Sequence, residues 1–508
     1  LSQPALAAKL YRPKHGVPVQ SRNPIVSTPA LAELSASEQS RLIANKSISP
    51  VELVQACLER IERWNPLLRA YITVCADSAL EAARMAEREI MAGRSRGPLH
   101  GLPFGVKDQL NSAGIRTTLG SKVLRDHVPD HDATVIARLK AAGAILIGKE
   151  NLHEFGKGGT VDFPYGQPRN PWNPAHNPAG SSSGSGIAVA AGMTSGSLGE
   201  DTGGSVRSPA AANGIVGLRP TFGRVSRHGG VMYGWTADTI GPLTRSVEDN
   251  ALFLQAIAGH DGADPLSSTR AVPDYRAGLG HGIRGLRLGV VRELCWPEGA
   301  NPEVQAAMRA AIKTLEGLGA VVDEVSLLRA KYAVPLQMLT SDSDIATMML
   351  RKWLRTHWHD LDEGTRTRLA AGCLIPAAVY HRAMRGRVLV RREVLAALQG
   401  RDALICPTNL YPPGRIESSR ETVDSEDAMQ RKVLLRRIST YPFSMANVPA
   451  LALPMGFSSA GLPLSLQIAG KPFDEATVFR IGHAYEQASP WAVRRPDLDA
   501  LEGKGAAS

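Results

Sequence analysis

Cysteine is scarce and irregular. The five residues, Cys57, Cys75, Cys295, Cys373 and Cys406, are odd in number, unevenly spaced and contain no C-x-x-C pair. That excludes a disulfide framework or a cysteine zinc site as the organising device, and reads as a reduced, cytoplasmic setting. No uninterrupted apolar run approaches the roughly 18 residues of a membrane-spanning helix, so no membrane span is expected. The first residues lack a charged-then-apolar leader pattern. Residues 1–30, proline-bearing and without periodicity, read as an N-terminal extension of a domain over 31–500. Net charge is +10, but the excess is thinly spread. Its densest cluster, Arg382, Arg385, Arg387, Arg391 and Arg392, falls in a helical stretch and reads as a solvated face. With no binding module beside it, nucleic acid is not an expected partner. No internal repeat or long linker divides the 508 residues, which read as one large domain.

What is present is alternation of helix and strand. "SPVELVQACLERIERWNP" has Ser49 as an N-cap and Pro50 at the first helical position, with Val51, Val54, Leu58 and Ile61 on one stripe. "ADSALEAARMAEREIMAG" predicts a second helix, ending at Gly93, and "GLPFGVKDQL" a short buried strand. "DATVIARLKAAGAILIGKEN" reads as helix, glycine turn and apolar strand, a unit that recurs at "NPEVQAAMRAAIKTLEGLGAVVDEVSL". Residues 340–400 are mainly helical. Strand-like runs return at "DALICPT", "PALALPM" and "LSLQIAG", followed by a last helix, "DEATVFRIGHAYEQA". The pattern is that of an α/β protein with inserted helices.

Residues 177–192, "NPAGSSSGSGIAVAAG", have the composition of a linker but run straight into a buried-helix sequence, which linkers rarely do. Within them "GSSSG" fits the esterase elbow G-x-S-x-G, with Ser182 as nucleophile. That elbow follows a strand, and the three prolines of "NPWNPAHNPA" bar a central strand there. Its histidine partner would be His483, which sits in a helical pattern. A third reading comes from "GEDTGGSVRSPAAANG". Its paired glycines let successive N–H groups point into one concavity, the geometry of an oxyanion hole, with Ser205 inside as nucleophile. The bland alternative is a tight turn without chemistry. A nucleophilic serine needs a base. His153, His176, His357, His359 and His381 all sit in loops or polar helices where structural or surface roles come first. Lys107 ends an apolar strand, where desolvation disfavours the ammonium, though a lone lysine there more often snorkels.

Taken together, these segments resemble the amidase signature family. "GPLHGLPFGVKD" is similar to the family's lysine motif, and "NPAGSSSGSGIAVAAG" with "LGEDTGGSVRSPAAANGIVGLRPT" to the signature itself. The flanks "GQPRNPWNP", "TIGPLTRSVEDNA" and "GLPLSLQIAGKPFDEA" are similar too. The likeness covers roughly residues 48–260 and 435–490, and is weak over 270–430, the variable, helix-rich region around the substrate pocket. It implies the family's fold: a single large α/β domain whose mixed central β-sheet is sandwiched by helices. It also implies a Ser–cis-Ser–Lys triad, with Ser205 as nucleophile, Ser181 as the bridge beside a cis peptide bond, and Lys107 as base. By the same resemblance Thr202, Gly203, Gly204 and the Ser205 amide form the oxyanion hole, Asp201 and Arg207 brace the loop, and Phe155 lines an acyl pocket. Ala179, Ser183, Glu150 and Asn213 depart from the common pattern, but no triad member is lost.

The implied activity is hydrolysis of an amide C–N bond through an acyl-enzyme, with no cofactor and no metal; "HWH" at 357–359 reads as surface histidines. Small-molecule aryl or alkyl amides and carbamates are the expected substrates. The glutaminase subunit of a tRNA-dependent amidotransferase is the alternative, ranked second because "KGGTVDFPYG" differs from the corresponding motif of that enzyme. A catalytically silent binding scaffold is disfavoured by retention of Lys107, Ser181 and Ser205 together. A homodimer stays open, as does a pocket-capping role for Trp353, Trp358 and Tyr380 against plain core packing.

Overall fold

The computed structural model describes residues 31–349, 353–417, 425, 435, 437–491 and 493–501; the N-terminal extension expected over 1–30 lies outside them. Eleven strands form one sheet. In chain order they are β1 (Tyr71–Val74), β2 (Pro103–Lys107), β3 (Ile145–Glu150), β4 (Gly196–Asp201), β5 (Val216–Arg219) and β6 (Thr239–Thr244), then β7 (Arg287–Val291), β8 (Val321–Val325), β9 (Ala403–Pro407), β10 (Ala450–Phe457) and β11 (Pro463–Gly470). Their spatial order is β1-β3-β2-β4-β6-β5-β10-β11-β9-β7-β8. β2 runs parallel to both β3 and β4, and β7 to both β8 and β9, while the other neighbours are antiparallel. The sheet is therefore mixed, as the resemblance implied. β2, β3 and β4 are buried along their whole length, the condition of strands covered on both faces.

The helices start where the capping residues predict. Ser49 and Glu52 form a reciprocal capping box, Glu52 N–H donating to Ser49 Oγ at 3.1 Å and Ser49 N–H to Glu52 Oε2 at 2.7 Å, with Pro50 in the first turn. The buried stripe of this Pro50–Leu68 helix is broader than the sequence suggested. Leu53, Cys57, Trp64 and Leu68 join Val54 and Ile61 in the core, while Val51 and Leu58 are only half-buried.

Residues 330–397 supply three helices, Ala330–Met349, Glu363–Cys373 and Ala377–Ala397. Here one expectation is corrected. Arg387 does not belong to a solvated face: it is buried, its Nε donating to the Met445 carbonyl at 3.2 Å, and Arg391 donates to the Ala446 carbonyl. The two cations sit on the carbonyl end of the Tyr441–Ala446 helix, where positive charge is favoured. Trp353, Phe155 and Tyr233 join residues of these helices in a second apolar cluster beside the main core. Among the described residues no helix is long and apolar enough to cross a membrane.

Candidate active site

β2 and β4 are parallel neighbours, pairing Phe104 with Gly196 and Val106 with Leu198. Their C-terminal ends therefore lie side by side, which brings Lys107 next to Glu200. Both side chains are buried. Lys107 Nζ lies 2.8 Å from Ser181 Oγ, 3.0 Å from Glu200 Oε2 and 3.5 Å from the Glu200 carbonyl oxygen. The Gly180–Ser181 peptide bond is cis.

The Ser/Gly stretch is the opposite of a linker. Residues Ser183–Ala190 are a helix with every residue buried. Gly180 has room for no side chain: a Cβ there would sit 2.1 Å from His153 Cδ2. Ser182, the residue an esterase elbow would select, is committed to architecture. Its N–H donates to the Ser205 carbonyl at 3.2 Å, and its hydroxyl to the Glu200 carbonyl at 3.3 Å. Those two bonds stitch the loop carrying Ser181 to the loop carrying Ser205.

Ser205 follows β4 and precedes the Arg207–Asn213 helix. Strand alternation sends the two acids at the end of β4 in opposite directions: Glu200 faces Lys107, while Asp201 faces Arg207 and Arg219. Asp201 is fully buried and salt-bridged to Arg207 Nη2 at 2.9 Å and Arg219 Nη1 at 3.2 Å. Burial pushes its pKa up, but the two guanidiniums outweigh burial and hold the carboxyl well below the usual range. Arg207 also donates to the Thr440 carbonyl, Gln467 Oε1 and Ser444 Oγ, tying the loop to the C-terminal part of the domain.

The four amides expected to form an oxyanion hole divide. Gly204 N–H is taken by Asp201 Oδ1 at 2.8 Å, so it serves the loop. The N–H groups of Thr202, Gly203 and Ser205 have no hydrogen-bond acceptor among the described residues. Gly204 holds φ +125, a conformation that favours glycine, and a Cβ on Gly203 would meet Tyr441 Cε1 at 2.1 Å.

Two acids at this site were not legible as such. Glu200 accepts from Thr202 Oγ1 at 2.7 Å as well as from Lys107. Burial raises its pKa, Lys107 opposing that and the nearby Asp238 adding to it. Asp238 is buried, accepts the N–H groups of Tyr233 and Gly234 at 2.7 and 2.8 Å, and also has a raised pKa, burial being the main cause. The signal for Glu200 was an acid directly before Asp201 in "LGEDTGGS"; Asp238 had none.

A cleft of about 1620 Å³ opens beside the two loops, lined by Gly180 and Ser208 on one side and by Val161, Leu410, Tyr411 and Ile438 on others. Gly180 immediately precedes Ser181, and Ser208 lies three residues beyond Ser205; the two serines are themselves buried at the edge of the cleft rather than in its lining.

Phe155, expected in an acyl pocket, does not line this cleft. Its side chain is fully buried, stacked on Trp353 at 5.2 Å between ring centroids and edge-on to Tyr233 at 6.4 Å. Trp353 thus packs in the core here, while Tyr380 donates its hydroxyl to Asp344 Oδ1 at 2.9 Å and Trp358 is exposed. Of the histidines, His483 Nδ1 lies 2.9 Å from the Leu279 carbonyl. His153 borders Gly180 and receives Thr160 N–H at 3.2 Å. Among the described residues no three His, Cys, Asp or Glu side chains are grouped to hold a metal ion.

Known proteins are similar to this chain over nearly its whole length. The A subunit of glutamyl-tRNA(Gln) amidotransferase from Chloroflexus aurantiacus is 40% identical over 494 residues, covering 92% of this chain and 99% of its own. The solved peptide amidase of Stenotrophomonas maltophilia superposes with a TM-score of 0.81 at 34% identity, over 93% of this chain and 100% of that one. The corresponding amidotransferase A subunit of Thermotoga maritima does so with a TM-score of 0.77 at 31% identity, over 92% and 97%. The Amidase family model matches residues 52–479. A match of that extent, over the sheet and both serine loops alike, makes this chain a member of the amidase signature family.

Proposed function

We propose that this chain hydrolyses amide C–N bonds through an acyl-enzyme on Ser205. The observation that carries the reading is the buried contact of 2.8 Å between Lys107 Nζ and Ser181 Oγ, on a loop bonded to the Ser205 carbonyl. Lys107, as the neutral amine, takes the Ser181 proton while Ser181 takes that of Ser205, and Ser205 Oγ attacks the substrate carbonyl. The N–H groups of Thr202, Gly203 and Ser205 receive the oxyanion; each such donor is typically worth about 3–4 kcal/mol in the transition state. Gly204, expected among them, acts through Asp201 instead. The proton returns through Ser181 to the leaving nitrogen, the amine departs, and water cleaves the ester to free Ser205.

For the substrate, the curated relatives reverse the order suggested by sequence motifs. Their name, at 38–40% identity, supports the glutaminase subunit of a tRNA-dependent amidotransferase, with glutamine as amide donor and partner subunits. Nucleic acid is then a partner of the assembly, and its exclusion on charge alone is withdrawn. The cleft supports a second reading. Its volume of about 1620 Å³ leaves room for substrates bulkier than glutamine, and Val161, Leu410, Tyr411 and Ile438 give it apolar walls. That suits a stand-alone hydrolase of aryl or alkyl amides or carbamates. A fluorophosphonate probe tests the shared chemistry: labelling at Ser205 is expected, and folded protein that stays unlabelled overturns it. Ammonia release from glutamine, set against turnover of anilides and aryl carbamates, separates the two substrates.

A further inference from the structure

Lys107 Nζ has three polar neighbours, and two of them belong to one residue. A neutral amine carries two N–H bonds and one lone pair. Glu200 offers two acceptors, Oε2 at 3.0 Å and its backbone carbonyl at 3.5 Å, and Ser181 Oγ lies at 2.8 Å on the remaining side. If the two N–H bonds point at Glu200, the lone pair points at the Ser181 hydroxyl. Glu200 is itself held, its other oxygen taking the Thr202 hydroxyl at 2.7 Å, at the head of the oxyanion loop. Lys107 and Glu200 are both shut off from solvent, so water does not replace either acceptor.

We infer that Glu200 is a positioning residue for the base: it aims the Lys107 lone pair at Ser181, and its carboxylate balances the charge when the proton arrives. The inference rests on the reading of Lys107 as base. The step is a single proton transfer, in which the Ser181 O–H bond breaks and an N–H bond forms on Lys107. The ammonium so formed lies against the Glu200 carboxylate, and the proton later leaves by the same path to the departing nitrogen.

The other ionisable groups facing Glu200 are Asp238, from the segment leading into β6, and the Tyr233 phenol beside it; burial raises the pKa of all three. Both neighbours are unchanged in the variants below. Removing the Glu200 charge therefore leaves Lys107 without the counter-charge at 3.0 Å that favours its protonation. An opposite charge at that range is worth about one to three pH units.

The test is the pH dependence of fluorophosphonate labelling at Ser205 in wild type, Glu200→Gln and Glu200→Asp, with a thermal melt of each to fix the folded fraction. For Glu200→Gln the expected result is an acid limb about one to three pH units lower, with a plateau about threefold to tenfold slower because a less basic amine accepts the proton less readily. Glu200→Asp keeps the charge but withdraws it by one methylene, so its limb stays near wild type while its plateau falls. It also keeps the inference testable if Glu200→Gln does not fold. An acid limb that is unchanged, or higher, in folded Glu200→Gln overturns the inference, as does an Asp variant whose limb drops like that of Gln. A purely structural role would lower labelling in proportion to the folded fraction and move no limb. Absence of labelling in wild type overturns the Ser205 reading itself and is separable from these outcomes.

Discussion

Asp201→Asn separates the architecture of the Ser205 loop from its chemistry. Three N–H groups converge on Oδ1: Gly204 N at 2.8 Å, Arg207 Nη2 at 2.9 Å and Arg219 Nη1 at 3.2 Å. Three more converge on Oδ2: Arg207 Nε at 3.1 Å, Val206 N at 3.2 Å and Arg207 N at 3.4 Å. Asparagine has the same shape but replaces one oxygen with an NH2 group. Half of the donors then face another donor, and two buried guanidiniums lose their counter-charge. Breaking a buried ion pair costs about 3–5 kcal/mol. At about 1 °C per kcal/mol for a chain of this size, the melting temperature should fall by about 3–5 °C at pH 7. The sign of the pH dependence follows from the depressed pKa of Asp201. Its stabilisation is complete above the unfolded value of about 3.9 and is lost as pH falls through the lower folded value. The gap between variant and wild type should therefore narrow below about pH 4. Differential scanning calorimetry from pH 7 down to pH 3 measures both. A variant melting within about 1 °C of wild type at pH 7, or a gap that widens on acidification, would refute the argument.

Lys107→Ala should remain folded and lose about 10²–10⁴-fold in Ser205 labelling, the range of a general base; near-wild-type labelling would remove Lys107 from the mechanism. Phe155→Ala should cost about 3–5 kcal/mol of stability and leave KM unchanged for any substrate turned over, because the ring is fully buried. A raised KM with an unchanged melt would return Phe155 to the pocket. Glu150 is buried with its pKa raised to about 8, so between about pH 4.5 and 8 the folded state holds a proton that the unfolded state has lost, and stability declines as pH rises across that window. Glu150→Gln should accordingly melt higher relative to wild type at pH 8 than at pH 5, and a difference independent of pH would contradict it.

Much of the fold could be read from local patterns. β2, β3, β9, β10 and β11 announce themselves as apolar runs, and the Ser49 and Pro50 signal places the start of a helix. β4 gives no such signal. "GSLGED" contains one large apolar residue, Leu198, yet it is a central, fully buried strand. Its polar side chains are satisfied by partners distant in sequence, such as Ser197 Oγ on Glu150 Oε1 at 2.6 Å, which no periodicity reveals. Glu200 escaped notice for the same reason. Arg387 looked solvated because charge on a helix normally is, and the carbonyls that receive it, those of Met445 and Thr236, lie far along the chain. The resemblance places Phe155 in an acyl pocket, but its partners Trp353, Ile345 and Leu369 come from 340–370, within the region where the resemblance is weak.

By itself the sequence determined the family, the two serine loops and the lysine at the end of its strand. Each rests on patterns visible locally: paired glycines in a tight turn, a cap residue before a helix, an apolar run for a buried strand. Only the tertiary structure committed Ser182 to bonds between the two serine loops and left some loop amides without an acceptor among the described residues. It alone brought in Glu200, 93 residues from Lys107, to complete the contact. Parallel pairing of β2 with β4 sets that proximity, and strand register is a property of the folded sheet that local sequence does not encode.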